Sequence, residues 1–243
     1  MILRECYIPR TMNHPASIDS AFFSDVQKPT SFFILRHGET VANADRRIQG
    51  RSEYSLNDTG RAQALGLAEY LSGKKLQRLF HSPLSRAVET AAIVGSKLGV
   101  VPVAEPLLIE LDTGKFSDLT LEEIEARYPE EFSQFRHQSW EAVSDAERAV
   151  GLYMRAVEAW MALKAAAIQA GGNVAAVSHG GTIQWLVRAT FGCRTWMPLV
   201  STGNCGVFEL YVEPNGNGKP AYTHWKEINH LPGGERPRVP QVF

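Results

Sequence analysis

Cysteine is scarce in this chain. Cys6, Cys193 and Cys205 are the only three, far apart and odd in number. They make no CxxC pair and no metal-ligand spacing, which argues against a disulfide framework. An excess charge of one sign is lacking too: 25 Lys and Arg face 26 Asp and Glu, a formal net charge of −1. No basic field exists to draw in nucleic acid or an anionic membrane, so any anion site must be local. No hydrophobic run approaches the length of a membrane span. The first residues, Met1-Ile2-Leu3-Arg4-Glu5, lack the apolar stretch of a secretory signal. The expectation is a cytoplasmic protein with no nucleic-acid and no membrane partner. Internal repeats and low-complexity tracts are missing as well.

What is present is an ordinary globular composition, 243 residues with 44% hydrophobic and 21% charged. Residues 1–30 mix prolines and polar residues without periodicity and read as an irregular arm. Strands are expected at 31–35, 77–81, near 100–103 (at a sheet edge, because Pro102 cannot donate to a ladder), at 173–178 and finally at 207–212. A helix over 58–72 is capped by Asn57 or Asp58, with Ala62, Leu65, Ala68 and Leu71 on its inner face. Ser82-Pro83 reads as the start of another helix, stopped by Gly99. Thr120 and Glu123 form a capping box, as do Ser144 and Glu147 before a long helix whose Val150, Met154, Val157 and Met161 stripe is core. Residues 112–142, rich in aromatics and charges, read as a small helical cap insertion. The tail 232–243 is loose. Strands alternating with helices predict a three-layer α/β/α fold with a mostly parallel central sheet and helices on both faces.

Chemistry concentrates at the strand ends. Arg36-His37 and His179 each follow an apolar strand and precede a glycine, and Arg86 opens the helix after another strand. All three therefore face the carboxyl rim, where open α/β sheets bind ligands. Arginine forks suit phosphate oxygens, and an imidazole can take a phosphoryl group as a covalent intermediate. The turn after His179 opens a helix whose N–H groups favour an anion. A lone histidine is more often structural, which is the reading given to His14, His81, His137, His224 and His230.

At this point the sequence resembles a known family. Leu35-Arg36-His37-Gly38-Glu39-Thr40, with Asn43 and Gln49-Gly50, is similar to the signature segment of the histidine phosphatase (phosphoglycerate mutase-like) superfamily. The runs Leu56 to Ala64, Ser82 to Ala91, Ser178-His179-Gly180-Gly181 and Asn204-Cys205-Gly206 resemble its later segments in order, over roughly 31–231. The resemblance implies that this span is the catalytic domain. It implies that His37 is phosphorylated while Arg36, Arg86 and His179 hold the phosphate, with Asn43 and Gly180 as further contacts. It also implies a carboxylate acid/base between Glu110 and Phe116, matched by Glu110 with Asp112 as the alternative; Glu39 reads as a secondary residue of the motif. Two departures stand out: His81 replaces a usual small residue, and Asp118 a usual glycine.

The expected activity is metal-independent hydrolysis of a small phosphorylated substrate, with no cofactor. A phosphoglycerate mutase is the rival, but the segment after Glu110 lacks the Arg-His-Tyr-Gly-like stretch of mutases. An inert phosphate-binding module is the other alternative, and such a module would need no nucleophile. A homodimer is allowed, though no patch demands it.

Overall fold

The run Thr30–Arg36 forms β1 and is buried along its whole length. The computed structural model describes residue 15 and residues 17–196, 200–216 and 218–232. Strand side chains alternate between faces, and here the two faces meet different helices. Phe33 and Leu35 cluster with Ala64, Leu67, Ala68 and Leu71 of α2 (Asp58–Leu71) and with Ala87, Ala91 and Val94 of α3 (Ser85–Leu98). Phe32 and Ile34 join the other cluster, which includes α6 (Ala149–Ala170) and α7 (Gly180–Thr190). The remaining helices are α1 (Val41–Ala44), α4 (Leu121–Arg127) and α5 (Pro129–Gln138). A strand covered on both faces has no solvated side, which is why β1 reads as one apolar run.

The remaining strands are β2 (Leu76–His81), β3 (Pro102–Ala104), β4 (Asn173–Ser178), β5 (Val207–Glu213) and β6 (Tyr222–His230). Their order in the sheet is β3-β2-β4-β1-β5-β6. The pairings β3–β2, β2–β4 and β4–β1 are parallel, and β1–β5 and β5–β6 are antiparallel. The expected three-layer α/β/α architecture with a mostly parallel sheet is present. Arg36 pairs in register with Ser178, and His81 with Val177. The ends of β1, β2 and β4 therefore share one rim.

Several local expectations need correction. The last strand is β6, not β5; its half-exposed alternation lacks the apolar run that marks β1. Helix α3 begins at Ser85, with Leu84 as its cap. The long helix begins at Ala149 without a Ser144–Glu147 box; instead the Glu141 carboxylate accepts from the Ala149 N–H at 2.7 Å. Its inner face carries Leu152, Ala156, Val157, Trp160 and Leu163, while Val150 is 74% exposed. On α2 the buried row is Gly60, Ala64, Leu67, Ala68 and Leu71, and Leu65 faces outward.

The Thr120–Glu123 capping box forms as expected and opens α4. Pro129 then begins α5. Phe116 and Trp140, both fully buried, pack against Phe135 at 5.6 and 4.9 Å between ring centroids. The aromatics of 112–142 are thus packing residues continuous with the main core. Of the arm 1–30, residues 1–14 and 16 lie outside the described residues, as do 233–243 of the tail. The stretch 17–29 has no helix or strand, yet buries Ile18, Phe23 and Val26 in the core. Among the described residues no helix is long and apolar enough to cross a membrane.

Candidate active site

The motif after β1 is locked in place before its side chains are considered. The His37 N–H donates to the Ser178 carbonyl at 3.0 Å, and the Arg36 N–H to the Gly206 carbonyl at 3.0 Å. Gly38 lies against the start of α2, where a Cβ would come within 2.5 Å of the Gly60 carbonyl oxygen. Gly60 is as constrained, since a Cβ there would lie 2.7 Å from the Glu39 nitrogen. Asn57 completes the junction. Its side-chain oxygen accepts from the Gly60 N–H at 2.8 Å, while its amide donates to Glu39 at 2.9 Å. Glu39 is thereby committed to structure, in line with its reading as a secondary residue.

Two imidazoles and two guanidinium groups meet at the rim, all nearly or fully buried. The His37 and His179 ring centroids are 5.1 Å apart. Arg86 Nε donates to His37 Nε2 at 3.2 Å and to His179 Nδ1 at 3.1 Å. A guanidinium only donates, so both of these ring nitrogens present lone pairs. His37 then carries its proton on Nδ1, which donates to the Gly38 carbonyl at 2.7 Å. His179 carries its proton on Nε2, which donates to Ser82 Oγ at 2.7 Å. The two rings hold opposite tautomers, each fixed by the partner of its other nitrogen. The Nε2 lone pair of His37 points into the site.

Electrostatics keep both rings neutral. Burial, then Arg86 and Arg36, hold the His37 imidazole well below its usual 6.5. Burial, then Arg86, His37 and Arg36, do the same for His179. Burial also lowers Arg36 and Arg86 to about 10, against the opposing pull of Glu110, so both remain cations at neutral pH. Arg36 Nη1 donates to the Thr202 carbonyl. Arg86 is braced from behind: Nη1 donates to the Ser52 carbonyl and Nη2 to the Gly50 carbonyl, each at 2.7 Å.

Glu110 is buried. Its carboxylate seals the start of α7. It accepts from the Thr182 N–H at 2.9 Å, the Gly181 N–H at 3.1 Å and its neighbour Leu111 N–H at 2.8 Å. The N–H groups expected to stand open for a phosphate at this helix start are therefore partly held by the Glu110 side chain. Gly180 is the first residue of α7 and buried. Asp112 turns elsewhere, accepting from the Gly114 N–H at 3.0 Å and lying 3.7 Å from Arg51. Asn43 caps α1 with Thr40. Its side-chain oxygen accepts from Asn204 at 3.2 Å, and the same Asn204 nitrogen reaches the His37 carbonyl at 3.3 Å. His81, half-buried at the end of β2, has Nδ1 2.8 Å from the Ser82 carbonyl oxygen and stays out of the cluster.

The structure thus brings His37, His179, Arg36, Arg86 and Glu110 to one rim and leaves Asp112 outside. Sequence reasoning missed four contributors. Ser82, read as a helix cap, holds the tautomer of His179. The Gly50 and Ser52 carbonyls brace Arg86. Arg155 donates to the Leu107 and Ile109 carbonyls at 3.1 and 2.5 Å, fixing the backbone just before Glu110. Only Ser82 and Gly50 left a signal, inside the motif segments already quoted. Among the described residues no group of three or more His, Cys, Asp or Glu is arranged to hold a metal ion.

A neutral imidazole lone pair beside two buried guanidinium groups, with a carboxylate close by, is an arrangement that can receive a phosphoryl group. The fold and these motifs define a class: the chain belongs to the histidine phosphatase superfamily (branch 1), whose family model matches residues 32–226. Individual relatives sharpen this. The chain is 31% identical to phosphoglycerate mutase-like protein 4 of Arabidopsis thaliana, over 88% of this chain and 92% of that protein. It is 30% identical to the glucosyl-3-phosphoglycerate phosphatase of Mycolicibacterium vanbaalenii, over 77% of this chain and 86% of that protein. A mycobacterial glucosyl-3-phosphoglycerate phosphatase solved in complex with VO3 superposes with a TM-score of 0.70 at 26% identity, covering 82% of this chain and 99% of that one.

Proposed function

We propose that this protein is a metal-independent phosphomonoester hydrolase whose nucleophile is His37. Arg36, Arg86 and His179 hold the phosphate, with Asn43 and the Gly180 backbone as further contacts. The His37 Nε2 lone pair attacks phosphorus while the phosphorus–oxygen ester bond breaks and Glu110 gives a proton to the departing oxygen. Water then attacks phospho-His37, Glu110 takes a proton from it, and phosphate leaves with the imidazole restored. The carrying observation is Arg86 Nε lying between the two imidazoles at 3.2 and 3.1 Å, with the Nε2 lone pair of His37 turned inward.

The substrate is a small phosphorylated molecule. Relatives named for acting on glucosyl-3-phosphoglycerate and, in wheat, on 2-carboxy-D-arabinitol 1-phosphate support sugar and sugar-acid phosphates as the first compounds to assay. On this reading the enzyme is cytoplasmic, with no nucleic-acid or membrane partner, and residues 31–231 are its catalytic domain with 112–142 as a cap. The test is phosphate release across a panel of phosphomonoesters with wild type and His37→Ala. Equal turnover by the two proteins overturns the proposal. Return of the phosphoryl group to glycerate, with no release into water, establishes a mutase instead.

A further inference from the structure

Asp118 holds a left-handed backbone, φ 64°, a region where side chains other than glycine are strained. Its carboxylate gives a reason for keeping a side chain there. Oδ2 accepts from the Ser52 hydroxyl at 2.7 Å, and Oδ1 accepts from the Tyr54 hydroxyl at 2.9 Å. These two residues belong to the short loop that braces Arg86. Ser52 and Gly50 offer their carbonyls to the guanidinium, and the Tyr54 carbonyl accepts from Ser85 Oγ at 3.0 Å. Asp118 is itself fixed at the backbone. Its N–H donates to the Ile48 carbonyl at 2.7 Å, and its carbonyl accepts from Arg47 at 2.7 Å.

A continuous chain of hydrogen bonds thus runs from the Asp118 carboxylate through Ser52 to Arg86, and from Arg86 Nε to both imidazoles. Bonds to an ionised acceptor are stronger than neutral ones. The Asp118 charge also lies close enough to favour the Arg86 cation against its burial.

We infer that Asp118 is a positioning residue for Arg86: by holding Ser52 and Tyr54 it sets the guanidinium between His37 and His179, and so sets how tightly the site takes a phosphate group. This rests on the reading of Arg86 as a phosphate-binding residue. The test compares Asp118→Ala with wild type by inorganic phosphate inhibition of nitrophenyl phosphate hydrolysis, by KM and kcat, and by melting temperature. Losing the clamp raises both the inhibition constant and KM about 5–30-fold, the range expected for one or two interactions. Asp118→Asn, which tolerates the same backbone and keeps one acceptor, falls between. Tyr54→Phe gives a smaller rise and serves if Asp118→Ala does not fold. Arg47→Ala loosens the same turn but leaves the carboxylate in place, so its inhibition constant stays within about twofold of wild type.

An unchanged inhibition constant in Asp118→Ala or, should that variant not fold, in Tyr54→Phe, overturns the inference. So does Arg47→Ala matching the rise in Asp118→Ala, which marks general loosening. Arg86→Lys separates the two readings. If it leaves phosphate inhibition unchanged, the assignment of Arg86 itself has failed; if it weakens inhibition while Asp118→Ala does not, only the role of Asp118 has.

Discussion

Gly181→Ala places one methyl group where the structure has no room for it. The new Cβ would lie 2.7 Å from Glu110 Oε1 and closer still to the Leu111 side chain. Ordinary contact begins near 3.4 Å, so the carboxylate must retreat by about 0.7 Å. Oε1 now accepts from Leu111 and Thr182 at 2.8 and 2.9 Å. Lengthened by that retreat, both bonds pass beyond useful hydrogen-bond range. A misplacement of this size costs on the order of 10²-fold in rate when the displaced group does chemistry. Overpacking adds a stability cost of about 1–3 kcal/mol.

The decisive assay is turnover of an alkyl phosphate beside that of nitrophenyl phosphate, with melting temperature as the check on folding. An alkoxide needs a proton to leave, whereas nitrophenolate departs unaided. The alkyl ester should therefore lose about 100-fold and the aryl ester markedly less. Alkyl turnover within threefold of wild type, or equal losses on both esters in a folded variant, would refute Glu110 as the acid.

Further outcomes follow from the same geometry. Alkaline quenching during turnover should trap phosphate on His37, stable in base and labile in acid; a label found by mass spectrometry on serine or cysteine refutes the nucleophile. Activity should survive excess chelator, because Arg36 and Arg86 bring two buried cations to the phosphate; loss restored by added Mg²⁺ counts against this. His37 and His179 are held neutral below 6.5, so as pH falls beneath that value the unfolded chain gains protons that the native one refuses. Stability should therefore fall as pH drops below 6.5, with both rings adding to the slope. Denaturant titrations at pH 6.5 and 5.5 check this, and a slope unchanged in His179→Asn would refute it for that ring.

What the sequence made legible depended on how burial is distributed. β1 and β4 are covered on both faces, so their apolar runs were plain, and the histidines following them were placed correctly at the rim. On α6 the apolar residues spread around much of the helix, and periodicity selected Val150, Met154, Val157 and Met161, of which only Val157 is fully buried. β6 is a half-exposed edge strand beyond a Gly-rich segment, and nothing in Tyr222–His230 marks a buried strand. In the site, side chains that follow strands could be read, but the Gly50 and Ser52 carbonyls could not, because every residue carries a carbonyl. The usual glycine at Asp118 did carry information: the backbone there is left-handed, as the family's glycine would allow.

The antiparallel pairing of β1 with β5 has a consequence for synthesis. Leu35 of β1 lies opposite Val207, and the Cys205 N–H holds the His37 carbonyl at 3.1 Å. The neighbour that closes one side of the first strand is thus made about 170 residues after it. At a translation rate of 5–20 residues per second, β1 waits about 10–30 s with that flank unpaired. An apolar strand with an unsatisfied edge invites pairing with another chain, so the nascent protein passes through a sticky, inactive interval. A ribosome stalled before Val207 would leave a chain carrying His37, His179 and both arginines yet lacking the strand that closes this flank of β1.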